Sequence, residues 1–138
     1  MKPNPYQAYR QTQITTASGL ELIILLYNGA ITFLKQARVA LEEKQVEPAH
    51  RALIKAQDII TELSLSLNRE AGGEIADSLG QLYDYMDQRL VQANIQKEVE
   101  PVDEVIGMLE ELRDTWEALG KDPQSRTAPA IEGLNIAK

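Results

Sequence analysis

The sequence predicts an all-α protein, an antiparallel four-helix bundle. Three observations point there. Four segments carry apolar residues in steps of three and four, their connections are short, and no segment alternates with the period of two that a strand requires. The bundle is expected over 18–120, with an extended N-terminal arm over 1–17 and a flexible C-terminal tail over 121–138. At 138 residues the chain is long enough to bury a core without disulfides, and it has no cysteine from which to make one.

The first helix is expected from an N-cap at Ser18 to about Lys44. Its core stripe is Ile23, Tyr27, Ala30, Leu34, Ala37 and Leu41. A second row, Leu20, Ile24 and Ile31, lies beside it. The segment is apolar nearly all round, but its dense run between Glu21 and Lys35 falls short of the ~20 residues a bilayer demands, so no membrane insertion is expected. The opening Met1-Lys2-Pro3-Asn4-Pro5-Tyr6 lacks the pattern of a secretory leader.

The second helix starts near Pro48, a residue suited to a first turn, and carries Ala49, Leu53, Ala56, Ile60, Leu63 and Leu67. Asn68 to Gly73 reads as its terminator, with Gly72-Gly73 the strongest local breaker. The third carries Ile75, Leu79, Leu82, Met86, Leu90 and Ala93. The fourth opens at Pro101 and carries Val102, Val105, Leu109, Leu112, Trp116 and Leu119, with Gly120 as its C-terminal cap and Pro123 beyond it.

At ~100° per residue, the fourth helix keeps nearly all its large apolar side chains in one sector. The others have surplus. Ile54 and Leu65 share a direction opposite the stripe of the second helix, Val91 and Ile95 point away from that of the third, and Tyr85 lies to one side. Single exposed aliphatics are ordinary on a soluble protein. A surplus shared by three helices marks an interaction surface instead, which an arm bearing Tyr6, Tyr9 and Ile14 could partly cover.

Composition excludes several function classes. A net charge of −7 opposes nucleic acid and anionic lipid surfaces, and no Lys/Arg-rich stripe offsets it. His50 is the only histidine; Glu47-x-x-His50 has the spacing of di-iron bundles, but such a site needs the motif twice. Gly72-Gly73 is no phosphate loop, Ser18 has no base to activate it, and the acids Glu98, Glu100, Asp103 and Glu104 suit a helix N-terminus. No enzymatic activity, metal or cofactor is expected.

Asn4-Pro5-Tyr6-Gln7-Ala8-Tyr9, Thr16-Ala17-Ser18, Leu26-Tyr27-Asn28-Gly29-Ala30-Ile31, Leu67-Asn68, Gly72-Gly73-Glu74-Ile75-Ala76, Leu82-Tyr83-Asp84-Tyr85-Met86 and Leu109 to Trp116 occur in order along the chain. With them the sequence resembles the bacterial flagellar secretion chaperones, the FliS family, over about residues 4–117. It departs at Gly19, where the family often has Pro, and at Asn28, where many members carry Asp. The resemblance implies a cytosolic export chaperone that binds the C-terminal segment of flagellin, blocks premature polymerisation and keeps it export-competent. It also implies an arm, with tyrosines at the positions of Tyr6 and Tyr9, that covers part of the apolar site and moves on binding. The flagellar export gate is a further expected partner. The residues expected at the partner surface are Tyr6, Tyr9, Ile14, Ile24, Ile31, Ile54, Leu65, Tyr85 and Val91. The expected state is a monomer or weak homodimer; the competing reading is a self-associating helical-bundle adaptor with no flagellin client.

Overall fold

The computed structural model describes residues 19–121. They form four helices: α1 (Gly19–Glu42), α2 (Val46–Leu65), α3 (Arg69–Gln96) and α4 (Glu100–Lys121), with no strand among the described residues. The Ser18 cap, the 1–17 arm and nearly all of the 121–138 tail lie outside the described residues.

Three-residue connections leave consecutive helices no option but to run antiparallel. Cross-helix pairs confirm the direction. Asn28, Lys35 and Arg38 of α1 meet Arg113, Glu110 and Asp103 of α4, one series rising as the other falls. The same holds for His50 with Asn94 and Gln57 with Asp87 between α2 and α3. Each helix packs on its neighbours in sequence, and α1 closes the ring against α4.

The apolar stripes form one continuous core. The expected α1 stripe is buried throughout, as are Ala49, Leu53, Ala56, Ile60 and Leu63 of α2. Small residues bring α1 and α2 close: a Cβ on Gly29 would stand 3.2 Å from Ile59 Cδ1. Both α1 and α3 end on a lysine in the left-handed region, Lys44 at φ 59° and Lys97 at φ 56°. There the chain reverses through bonds from Gln45 N to Ala40 O and from Glu98 N to Ala93 O, which satisfy carbonyls of the last turn.

Several boundaries differ from expectation. Residues 68–73 do not simply terminate α2. Asn68 caps a new turn by accepting from Ala71 N at 3.1 Å, and Gly73, at φ 54° and ψ −129°, kinks that turn into the body of α3. Only glycine occupies that backbone region readily. In α3 the core stripe runs Ala76, Leu79, Tyr83, Met86, Leu90 and Ala93, whereas Ile75 and Leu82 are exposed. Gly120 is not a cap, since α4 continues to Lys121. Its missing side chain makes room for Leu20, whose Cδ2 would stand 2.4 Å from a Cβ there.

α1 is longer than its dense apolar run suggests, and length alone does not exclude a membrane span. At 24 residues, α1 is long and apolar enough to cross a bilayer by length and composition. The apolar run alone underestimates the helix, which continues to Glu42. Its apolar side chains are instead spent on protein: both of its rows pack into the bundle.

Candidate functional site

The sequence-selected residues fall into four groups. Tyr6, Tyr9 and Ile14 lie outside the described residues. Ile31 is only 4% exposed and belongs to the core, which removes it from any open surface. The reason is the position of its row. Leu20, Ile24 and Ile31 share the side of α1 that carries Asn28, Lys35 and Arg38, and those three residues pair with α4. Ile24 is half-buried against the same core. The second apolar row of α1 therefore serves the α1–α4 interface.

Ile54, Leu65 and Val91 remain exposed, and the structure places them along one face, the outer side of α2 and α3. The hydrogen bonds His50–Asn94 (2.8 Å) and Gln57 Nε2 to Asp87 Oδ1 (2.9 Å) set the register of the two helices. Ile54 lies between the first residues of these pairs and Val91 between the second, so the two stand at the same level. Leu65, 78% exposed, stands eleven residues farther along α2, about 16 Å at the helical rise. It lines a groove with Thr61, Ser64, Asp84 and Asp87, over a floor of Ile60 and Tyr83. Ile95, 77% exposed, extends the apolar row beyond Val91 on α3. The surface is thus a track of spaced apolar side chains with Thr61, Ser64, Asp84 and Asp87 between them, suited to an elongated segment rather than to a small molecule.

Tyr85 does not join this track. Its hydroxyl donates to Glu104 Oε2 at 2.5 Å, and Arg89 Nε donates to Glu104 Oε1 at 2.6 Å, which ties α3 to α4. The hydrogen bond from Tyr85 and then that from Arg89 hold the Glu104 carboxyl below its usual range, while Glu104 pushes the Tyr85 hydroxyl up. For a carboxylate with a depressed folded value, the stabilisation is present above the unfolded value of about 4.3 and is lost as pH falls through the folded one. In a carboxyl-carbon NMR titration Glu104 should therefore have its midpoint below the ordinary glutamate value, and Tyr85→Phe should move it upward.

His50 is a structural residue here, bonded to Asn94, while Glu47 pairs with Arg51 at 3.5 Å. Among the described residues no group of three His, Asp or Glu side chains could hold a metal ion. Sequence reasoning missed the buried polar cluster. Tyr27 Oη lies 2.5 Å from Tyr83 Oη and accepts from Trp116 Nε1 at 3.2 Å, linking α1, α3 and α4 in an otherwise apolar interior. Burial pushes both hydroxyls above the usual tyrosine value, so both stay neutral. The signal available in the sequence was the polar tip of each of these three side chains, which needs a partner once buried.

The family model described as flagellar protein FliS matches residues 2–123. A flagellar secretion chaperone FliS of Bacillus subtilis is 45% identical over 113 residues, covering 82% of this chain and 84% of that protein. The Salmonella typhimurium protein of the same name is 39% identical over 110 residues, covering 79% and 82%. Flagellar secretion chaperone FliSB of Pseudomonas aeruginosa is 38% identical over 109 residues, covering 79% and 86%. A match across nearly the whole bundle, with four antiparallel helices beneath it, leads to one conclusion: this chain belongs to the FliS family of flagellar secretion chaperones.

Proposed function

We propose that this chaperone acts in the bacterial cytoplasm on flagellin, binding its C-terminal segment and masking the surface through which flagellin packs into a filament. The observation that carries the reading is the exposed apolar track of Ile54, Leu65, Val91 and Ile95, on a chain of this family whose α4 has no comparable surplus. Burying such a track returns roughly 25 cal/mol per Å², offset by the cost of ordering the client. An extended segment with apolar residues at intervals fits a surface that runs from Ile54 to Leu65 on α2 and from Asp84 to Ile95 on α3. The arm residues Tyr6, Tyr9 and Ile14 complete the site in this reading by covering part of the track until the client displaces them. Delivery to the flagellar export gate follows binding.

The test is a pull-down and sizing experiment with cognate flagellin, full-length and lacking its C-terminal segment. The full-length protein should give a one-to-one complex and stop forming filaments, and the truncated protein should not bind. Equal binding of the truncated flagellin would overturn the proposal. The self-associating adaptor makes a different prediction, a stable oligomer by light scattering that persists when flagellin is added.

A further inference from the structure

The cations of the described bundle are shared equally between its two halves, but its acids are not. Lys35, Arg38, Lys44, Arg51 and Lys55 cluster on the α1–α2 hairpin, while α3 and α4 carry most of the acids of a chain whose net charge is −7. Between α1 and α2 the outer surface forms an open groove, floored by Val39, Ala40, Pro48 and Ala52. Lys35 stands on one wall, and the groove continues past Arg51 and Lys55. Among the described residues no acidic side chain lines it. The floor is apolar and shallow because the two helices meet through small residues, and Val39 is half exposed.

The cations on the rim are only weakly engaged. Lys35 reaches Glu110 at 3.6 Å and Arg51 reaches Glu47 at 3.5 Å, with both basic side chains more than half exposed. Lys55 stands over the Phe33 ring at 5.4 Å. Exposed pairs of this kind stabilise the fold little, so the charges remain available to a partner. The α2–α3 track differs in sign, since Asp84 and Asp87 line it.

We infer that the α1–α2 groove is a second docking surface, separate from the client track, and that its occupant is an acidic amphipathic helix of a partner protein. The apolar floor receives the helix's apolar stripe, and Lys35, Arg51 and Lys55 pair with carboxylates flanking it. A helix is the fitting shape, because a trough between two packed helices accepts the ridge of a third. A second copy of this chain suits it less well. Its acidic α4 face already uses Glu110 and Asp103 on its own α1, and a groove-to-α4 contact is head-to-tail, giving rings or filaments rather than a two-fold dimer.

The probe is a fluorescein-labelled helical peptide with a leucine stripe flanked by glutamates, titrated into the full chain and read by anisotropy. Its control has the same stripe flanked by lysines. The glutamate peptide should bind about tenfold more tightly than the lysine peptide, and K35Q/R51Q/K55Q should remove most of that difference without changing helical content. The charge-reversed K35E/R51E/K55E should go further and favour the lysine peptide. Prior saturation with flagellin should leave the peptide affinity unchanged. Equal affinity for the two peptides would overturn the inference, as would no effect of either triple variant. Displacement of the peptide by flagellin would also overturn it, since the groove would then belong to the client path. A charge-dependent change in the chain's own oligomeric state would reassign the groove to a second copy.

Discussion

Tyr27→Phe should lower the unfolding free energy by about 2–4 kcal/mol, and Tyr83→Phe by only about 0.5–1.5 kcal/mol. The two side chains are almost equally buried, so the difference rests on connectivity. Tyr27 is the node: its hydroxyl meets Tyr83 at 2.5 Å and accepts from Trp116 at 3.2 Å. Removing that oxygen leaves the Trp116 N–H and the Tyr83 hydroxyl without a partner in an apolar interior, each costing about 1–3 kcal/mol. Removing the Tyr83 hydroxyl leaves the Trp116–Tyr27 bond intact. Phenylalanine fills the same volume in both cases, so no cavity complicates the comparison. It follows that the double variant should be no less stable than Tyr27→Phe alone, because the second change deletes a group the first has orphaned. Urea unfolding followed through Trp116, the only tryptophan, measures all three variants. Simple additivity of the two single changes would contradict the node. Against a total of about 5–15 kcal/mol for a domain, the Tyr27 effect is large. Both hydroxyls have raised values, so their contribution is complete below about pH 10 and is lost as pH rises through the folded values.

The same cluster shows where the sequence was legible. In α1, α2 and α4 the core follows the expected apolar period: the stripes through Tyr27, Leu53 and Leu109 are buried, except that Leu67, Leu112 and Leu119 are only half-buried. In α3 two rows fit steps of three and four, one through Ile75 and Leu82, the other through Ala76 and Tyr83. Hydrophobicity favours the first; the bundle adopts the second, because Tyr83 finds Tyr27 across the core. That choice depends on a residue fifty-six positions away, which a local pattern does not contain. Which apolar side chains stand outside the core was legible in part. Wheel geometry identified Ile54, Leu65 and Val91 as surplus to the core, and these are exposed on one face. It failed for Ile31, because a helix between two neighbours needs two apolar rows and a wheel does not show how many neighbours it has. It failed to place Tyr85, whose hydroxyl binds Glu104 of another helix.

Ile54→Asp combined with Leu65→Asp should weaken flagellin binding about a hundredfold while leaving the circular dichroism of the bundle unchanged. The magnitude follows from exposure. Fully burying a leucine or isoleucine side chain contributes about 1.5–3 kcal/mol. Leu65, 78% exposed, has most of that still to gain on contact, and Ile54, at 40%, has less. Together they account for about 2–3 kcal/mol, and each 1.4 kcal/mol is tenfold in affinity. The new carboxylates must also be desolvated beside Asp84 and Asp87, which line the same groove, so the client meets repulsion as well as lost contact. The fold should tolerate the change, because neither side chain belongs to the buried core and an exposed helical aspartate costs well under 1 kcal/mol. Ile54→Ala with Leu65→Ala separates the two contributions: it removes the contact beyond Cβ, about 2 kcal/mol, without adding charge and should cost about thirtyfold. Val39→Asp is the matched control, an exposed aliphatic on the α1–α2 face, and should leave flagellin affinity where it was. Isothermal titration with full-length flagellin decides the matter. Unchanged affinity in the double aspartate variant would remove the α2–α3 track from the site, and an equal loss with Val39→Asp would mean that the client wraps both faces.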